Sequence, residues 1–115
     1  MRLDTWKLRV RKHVYEYTDM GRCEKMLLVE MATGAGLKDR KLIYAQPVAR
    51  ICHLIDYTMK PTKKAIAYLE ERGYITRLTA YWSRPAQWEI HPEMISDNLP
   101  KLSQVMEVEN GQDRA

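Results

Sequence analysis

The sequence predicts a single α+β domain, and three observations carry that expectation. Two runs with apolar residues at helical spacing, 48–55 and 58–72, follow each other across a very short break. Gly73 closes the second run, and a stretch rich in β-branched and aromatic residues, 74–81, comes at once after it. A Ser83-Arg84-Pro85 break then separates this stretch from a second strand-like run around Gln87 to His91.

Taken in order, residues 5–17 open with alternation: Trp6, Leu8 and Val10 fall on one side, and Lys7, Arg9 and Arg11 on the other. That is the period of a half-buried strand, so an N-terminal strand or extended arm is expected to cover the core. Asp19-Met20-Gly21 reads as a turn. From Arg22 to about Ala32, Cys23, Met26, Leu27 and Met31 recur at three- and four-residue steps, and Leu28 and Val29 widen the stripe into a largely buried helix. Thr33-Gly34-Ala35-Gly36 ends it, and Lys41 to Tyr44 is long enough only for a brief strand. After Gln46-Pro47, the residues Val48, Ile51, Cys52 and Ile55 share one helix face. The next helix opens at Thr58 as N-cap, tolerates Pro61 in its first turn, and turns Thr62, Ala65, Ile66 and Leu69 inward.

These elements define one domain over 1–109, with a helix-turn-helix at about 46–73 and a hairpin, or wing, at about 74–91. A C-terminal helical extension is expected at about 92–109, interrupted near Pro100, and a fraying tail at 110–115. The 115 residues suit one modest domain, and 45% hydrophobic content is too rich for disorder. No apolar run approaches the roughly 18 residues needed to span a bilayer, and the first residues lack the apolar stretch of a secretory signal, so a cytoplasmic protein without membrane contact is the default.

Charge is unevenly placed. Residues 1–41 hold 10 Lys/Arg against 6 Asp/Glu, residues 42–91 hold 7 against 4, and residues 92–115 hold 2 against 5. A basic body can draw a polyanion, although basic surfaces also simply solubilise. The catalytic classes find little support. His13, Cys23, Cys52, His53 and His91 show no paired metal-ligand spacing, Gly34-Ala35-Gly36 lacks the rest of a phosphate loop, and Glu70-Glu71 reads as a solvated helix face. No enzyme, cofactor or metal site is expected. Cys23 and Cys52 read as buried free thiols.

The order helix, tight turn, helix, glycine, strand, wing, strand resembles the winged helix-turn-helix family, especially the DNA-reading segment of the multiple-antibiotic-resistance-type repressors. The resemblance rests on Thr58 where a small residue opens the recognition helix, Leu69 four residues before Gly73, Ile75 in the aliphatic strand, and Arg77 as the basic residue after it. Ile51, Cys52 and Ile55 match the supporting helix, with Cys52 where the family usually has alanine. Two places depart from the pattern: the Asp56-Tyr57 turn lacks the usual glycine, and the hairpin tip lacks the Asp/Arg-rich signature of the drug-responsive branch.

The resemblance implies binding of double-stranded DNA, as a homodimeric transcriptional regulator or an accessory replication or segregation factor. With Thr62, Ala65, Ile66 and Leu69 inward, the outward residues are Met59, Lys60, Lys63, Lys64 and Ala67. Three lysines near a helix N-terminus suit phosphate contact more than base reading, because lysine lacks the planar fork of arginine. Thr58, Met59, Lys60, Lys63, Lys64, Arg77 and Arg84 are therefore the expected DNA-binding residues, with Arg9, Arg11 and Lys12 as additional contacts if the N-terminal arm lies on the same side. Arg77 either touches DNA backbone or pairs with Glu89; Trp82 either packs beneath the wing or stacks on a partner, and packing beneath the wing is expected, given the area an indole wants buried. Leu99, Leu102, Val105 and Met106, with the first helix from Arg22 to about Ala32, form the expected dimer surface, against packing of that tail on its own domain. The alternative function is a winged-helix module for protein–protein interaction or scaffolding. RNA is disfavoured because no exposed aromatic platform is evident.

Overall fold

The computed structural model describes residues 1–105 and has four helices and a four-stranded antiparallel sheet. Helices α1 (Leu3–Tyr17) and α2 (Arg22–Gly34) lead into a short hairpin, β1 (Gly36–Lys38) and β2 (Lys41–Gln46). Helices α3 (Val48–Ile55) and α4 (Met59–Glu71) follow, then β3 (Ile75–Arg77) and β4 (Ala86–Ile90). The sheet order is β1-β2-β4-β3, so β4 lies between two strands and is paired on both edges.

Residues 3–17 form a helix, and this corrects the expected N-terminal strand or arm. The alternating residues Trp6 and Val10 also belong to a second pattern, Leu3, Trp6, Val10 and Val14, whose steps of three and four place all four on one helix face. That stripe is buried, whereas Leu8, the residue on which the alternation depended, is 70% exposed. A strand there would also need an edge to pair with, and β1 is only 3 residues long. Trp6 is completely buried and its indole N–H donates to the Pro100 carbonyl at 2.9 Å.

The sheet turns one face to the helices. Leu42 lies opposite Ile90 and Tyr44 opposite Trp88 across β2 and β4, and Ile75 lies opposite Ile90 across β3 and β4. All of these side chains are buried, and they meet α2, α3 and α4 in a single core. Because side chains on a strand alternate, this register presents the intervening Ile43, Glu89 and Thr76 on the other face. Tyr44 donates its hydroxyl to Glu30 Oε2 at 2.9 Å. Burial first, and then the neighbouring Glu30 charge, push its ionisation far above the ordinary phenol range; burial also raises Tyr74 and Tyr81. A phenol held protonated by the fold stabilises it below the unfolded pKa of about 10 and loses that contribution as pH rises further. An ultraviolet titration of folded protein should therefore show Tyr44 ionising only together with alkaline unfolding; ionisation of all tyrosines near pH 10 without loss of structure would contradict this.

The β1–β2 hairpin was legible only as the fragment Lys41–Tyr44. Its two-residue loop, Asp39-Arg40, has both residues left-handed, at φ 51° and 64°. This is the conformation whose twist suits a tight hairpin, and it is usually supplied by Asn-Gly or Asp-Gly. Arg40 adopts it at a steric cost that glycine avoids. Arg40→Gly is expected to raise stability by about 0.5–1 kcal/mol, measured by urea unfolding. Unchanged or lower stability would argue against this turn.

Beyond β4 the expected C-terminal helical extension is replaced by two single turns of 3-10 helix, Pro92–Met94 and Leu102–Gln104. Proline at 92 and 100 blocks a continuous helix, since each removes an N–H from the ladder. The segment instead lies across the body of the protein. Ile95, Leu99 and Val105 are buried, and Leu102 packs partly against the same core. The main-chain amine of Met1 donates to the Gln104 carbonyl at 3.3 Å. Leu99 and Val105 are thus satisfied within their own chain and do not offer the dimer surface expected of them. Met106, the remainder of the extension to 109 and the 110–115 tail lie outside the described residues. Among the described residues, no helix is long and apolar enough to cross a membrane.

Candidate nucleic-acid interface

Helix α3 ends at Asp56, which takes the left-handed conformation at φ 62° and ψ 46°. Aspartate tolerates that region better than most residues, and here it occupies the place where a glycine was missed. The Tyr57 N–H still reaches the Cys52 carbonyl at 3.1 Å, so the turn closes without glycine. Helix α4 then begins with Thr58 in the N-cap position. Its side chain makes no capping bond, while its carbonyl accepts from Thr62 N at 3.2 Å and from Thr62 Oγ1 at 2.8 Å. Thr62, Ala65, Ile66 and Leu69 are fully buried, as their spacing requires. At the far end Gly73 is left-handed at φ 81°, and Tyr74 N bonds to Leu69 O at 3.0 Å while Gly73 N bonds to Glu70 O at 3.2 Å. These paired bonds end the helix and turn the chain into β3.

With that inward face settled, Lys60, Lys63, Lys64 and Ala67 stand on the solvent side, and Met59 flanks them at 41% exposure. The first turn of α4 contains no acidic residue. Lysine at 60 and 64 is a like-charge pair four residues apart, and both sit in the half of the helix that the backbone dipole makes positive. This arrangement costs the isolated fold a little stability and suits an anionic partner. None of Lys60, Lys63, Lys64, Arg50 or Arg84 pairs with a carboxylate among the described residues.

Arg84 is exposed near the tip of the long β3–β4 connection, on the same side as this face. The tip residues Tyr81 to Arg84, the start of α3, and Met59 and Lys63 of α4 enclose a cleft of about 620 Å³. Its wall is mostly apolar, and Arg50, His53, Lys63 and Arg84 contribute the basic groups around it. Arg50 and His53 are not among the DNA contacts expected from the sequence. The helical period held the necessary signal, because the buried Val48, Ile51 and Ile55 leave both on the opposite side of α3.

Arg77 is placed otherwise. Its Nε lies 3.6 Å from Glu70 Oε2, and its guanidinium lies over the Tyr81 ring, 4.4 Å from the centroid. Neither expected partner, Glu89 or DNA backbone, is needed to account for it. Glu70, expected on a solvated face, is the hub of this cluster and also accepts the Trp88 indole N–H at 3.0 Å. Burial first, and then the Glu70 charge, raise the Tyr81 phenol, with Arg77 opposing. Glu70, Arg77, Tyr81 and Trp88 together bind the hairpin to α4, so Arg77 belongs to the support of the face.

Tyr81 rather than Trp82 folds back onto the hairpin, edge-on to Trp88 at 6.5 Å between centroids. Trp82 is left 83% exposed, which corrects its expected burial beneath the wing. Arg9, Arg11 and Lys12 are also exposed, but a helix spreads them. Residues two apart on a helix diverge by about 200°, so Arg9 and Arg11 do not share the face that a strand would have given them. Arg11 lines a separate recess with Leu54 and Met26, and none of the three lines the cleft beside α4.

Cys23 and Cys52 are free and only partly buried; the Cys23 thiol approaches the Pro61 carbonyl at 3.8 Å, and desolvation, then Glu24, raises its pKa. Among the described residues, no group of three or more His, Cys, Asp or Glu side chains converges as a metal site. No known protein family, characterised protein or solved structure matches the chain.

Proposed function

We propose that this protein is a winged helix-turn-helix that binds duplex DNA through the outer face of α4 and the tip of the β3–β4 connection, in the manner of a transcriptional regulator or an accessory replication or segregation factor. The observation that carries the proposal is the lysine set Lys60, Lys63 and Lys64, exposed on α4 and paired with no carboxylate among the described residues, with Lys63 sharing a cleft with Arg50 and Arg84. A helix of this size enters a major groove, and a neighbouring hairpin reaches the flanking backbone or minor groove. Lysine-dominated contact implies strong salt dependence and modest sequence preference. Thr58 and Met59 stand at the groove-entering end of the helix, and Arg84 is the wing's contact. Arg77 acts by holding the hairpin in place. The test is a salt titration of duplex binding by the intact chain: affinity should fall linearly and steeply on logarithmic axes, and weak or salt-insensitive binding would end the proposal.

The second reading, a protein-docking module, draws on one observation of its own. Met59, Trp82 and Arg84 are residue types enriched at protein interfaces, and all three are exposed around an apolar cleft. The lysine face separates the readings, since an apolar docking site would be nearly indifferent to salt and to the loss of those charges.

A further inference from the structure

Resting on the duplex-binding reading, we propose that Trp82 stacks on a nucleobase lifted out of the DNA stack, so that the cleft between α4 and the wing tip favours DNA containing unpaired bases. Trp6 and Trp88 are completely buried, whereas Trp82 is 83% exposed at the mouth of the cleft. An indole is among the side chains that gain most from burial, and Trp82 is not isolated: with the exposed Met59 it lines one mostly apolar cleft, the kind of joined apolar surface that marks a binding groove. The tip does not need Trp82 for its own support. Tyr81 already covers the hairpin, and Thr79 Oγ1 accepts from Gln87 N at 2.9 Å to staple the base of the connection.

The surroundings select the partner. Arg84, Lys63 and Arg50 place positive charge around an apolar hollow, which is the combination that holds a phosphate chain while a flat ring packs inside. A paired duplex shows only base edges in its grooves, and the π-face that an indole takes becomes available when a base leaves the stack. A base already unpaired presents it at the least cost. The hollow, at about 620 Å³, has room for such a base between Met59 and the tip. The exposed aromatic that the sequence did not reveal therefore extends the expected contact from the charged backbone to an unstacked base.

The test compares binding of a fully paired duplex with the same duplex carrying a short central mismatch bubble, using wild type, Trp82→Ala and Trp82→Tyr. The wild type should prefer the bubble by about tenfold, the size of one base–aromatic stack. Trp82→Ala should lose that preference, its affinity for the bubble falling about tenfold further than its affinity for the paired duplex, and Trp82→Tyr should retain most of it. Since Trp82 is the exposed tryptophan, acrylamide quenching of intrinsic fluorescence reports on it, and the bubble should shield it more than the paired duplex does. Equal wild-type affinity for both duplexes overturns the inference and leaves the DNA reading standing. An equal loss on both duplexes in Trp82→Ala also overturns it, by making Trp82 a groove or backbone contact. Absence of salt-sensitive binding to either duplex overturns the DNA reading and this inference with it.

Discussion

Replacing Lys60, Lys63 and Lys64 together with alanine is expected to weaken duplex binding by two to three orders of magnitude near 0.1 M salt, without unfolding the protein. Each lysine that neutralises a phosphate releases counterions, and the dependence of log K on log salt falls by about 0.9 per contact removed. Three contacts therefore flatten the slope by nearly three, and at about 0.1 M salt each is worth somewhat less than tenfold in affinity. The same substitution should leave stability unchanged or raise it by about 0.3–1 kcal/mol, because it removes a like-charge pair and positive charge from the helix N-terminus. That opposition of signs separates a binding face from a merely solvating one. Fluorescence anisotropy across a salt series and a urea melt measure both sides. Unchanged affinity and slope would remove α4 from the interface.

Trp88→Ala is expected to cost about 3–5 kcal/mol, a large part of the 5–15 kcal/mol that a domain of this kind possesses. Trp88 is completely buried on β4, opposite Tyr44 of β2 and Arg77 of β3. Its loss opens a cavity between the sheet and α4 and removes the edge contact of Tyr81. Glu70→Ala is the milder counterpart. It leaves the buried Trp88 N–H without its acceptor, which costs about 1–3 kcal/mol, and frees Arg77 as well. Glu70→Gln keeps an acceptor in place and should recover most of that loss. Urea unfolding of the three variants orders them, and a Trp88→Ala protein within 1 kcal/mol of wild type would refute this account of how the hairpin is held. Because the hairpin is anchored through this cluster, Glu70→Ala should also reduce the contribution of Arg84 to duplex binding while the α4 lysines keep theirs.

The two effects belong to different parts of the same segment, and their legibility differed accordingly. Helices α2, α3 and α4 were readable nearly to their ends. Each carries one uninterrupted apolar stripe, and Gly73 stops the last by a conformation that side-chain-bearing residues resist. The lysine face followed, since fixing the inward side of α4 fixes the outward side. Residues 3–17 were misread because Trp6 and Val10 satisfy two periods at once, and only burial of Leu3 and Val14 with exposure of Leu8 distinguishes them. The basic residues of that segment were displaced with it.

What the amino-acid order determined alone was local: where helices form, which stripe each buries, where glycine and proline end them, and so which charges α4 leaves to solvent. Tertiary structure decided what depends on neighbours distant in the chain. It chose Tyr81 over Trp82 to cover the hairpin, drew Arg77 onto Glu70, and laid Leu99 and Val105 across their own domain. The physical reason is that a stripe's period is a property of backbone geometry, whereas the burial of one aromatic or the pairing of one charge is a competition among surfaces that meet only after the chain has folded.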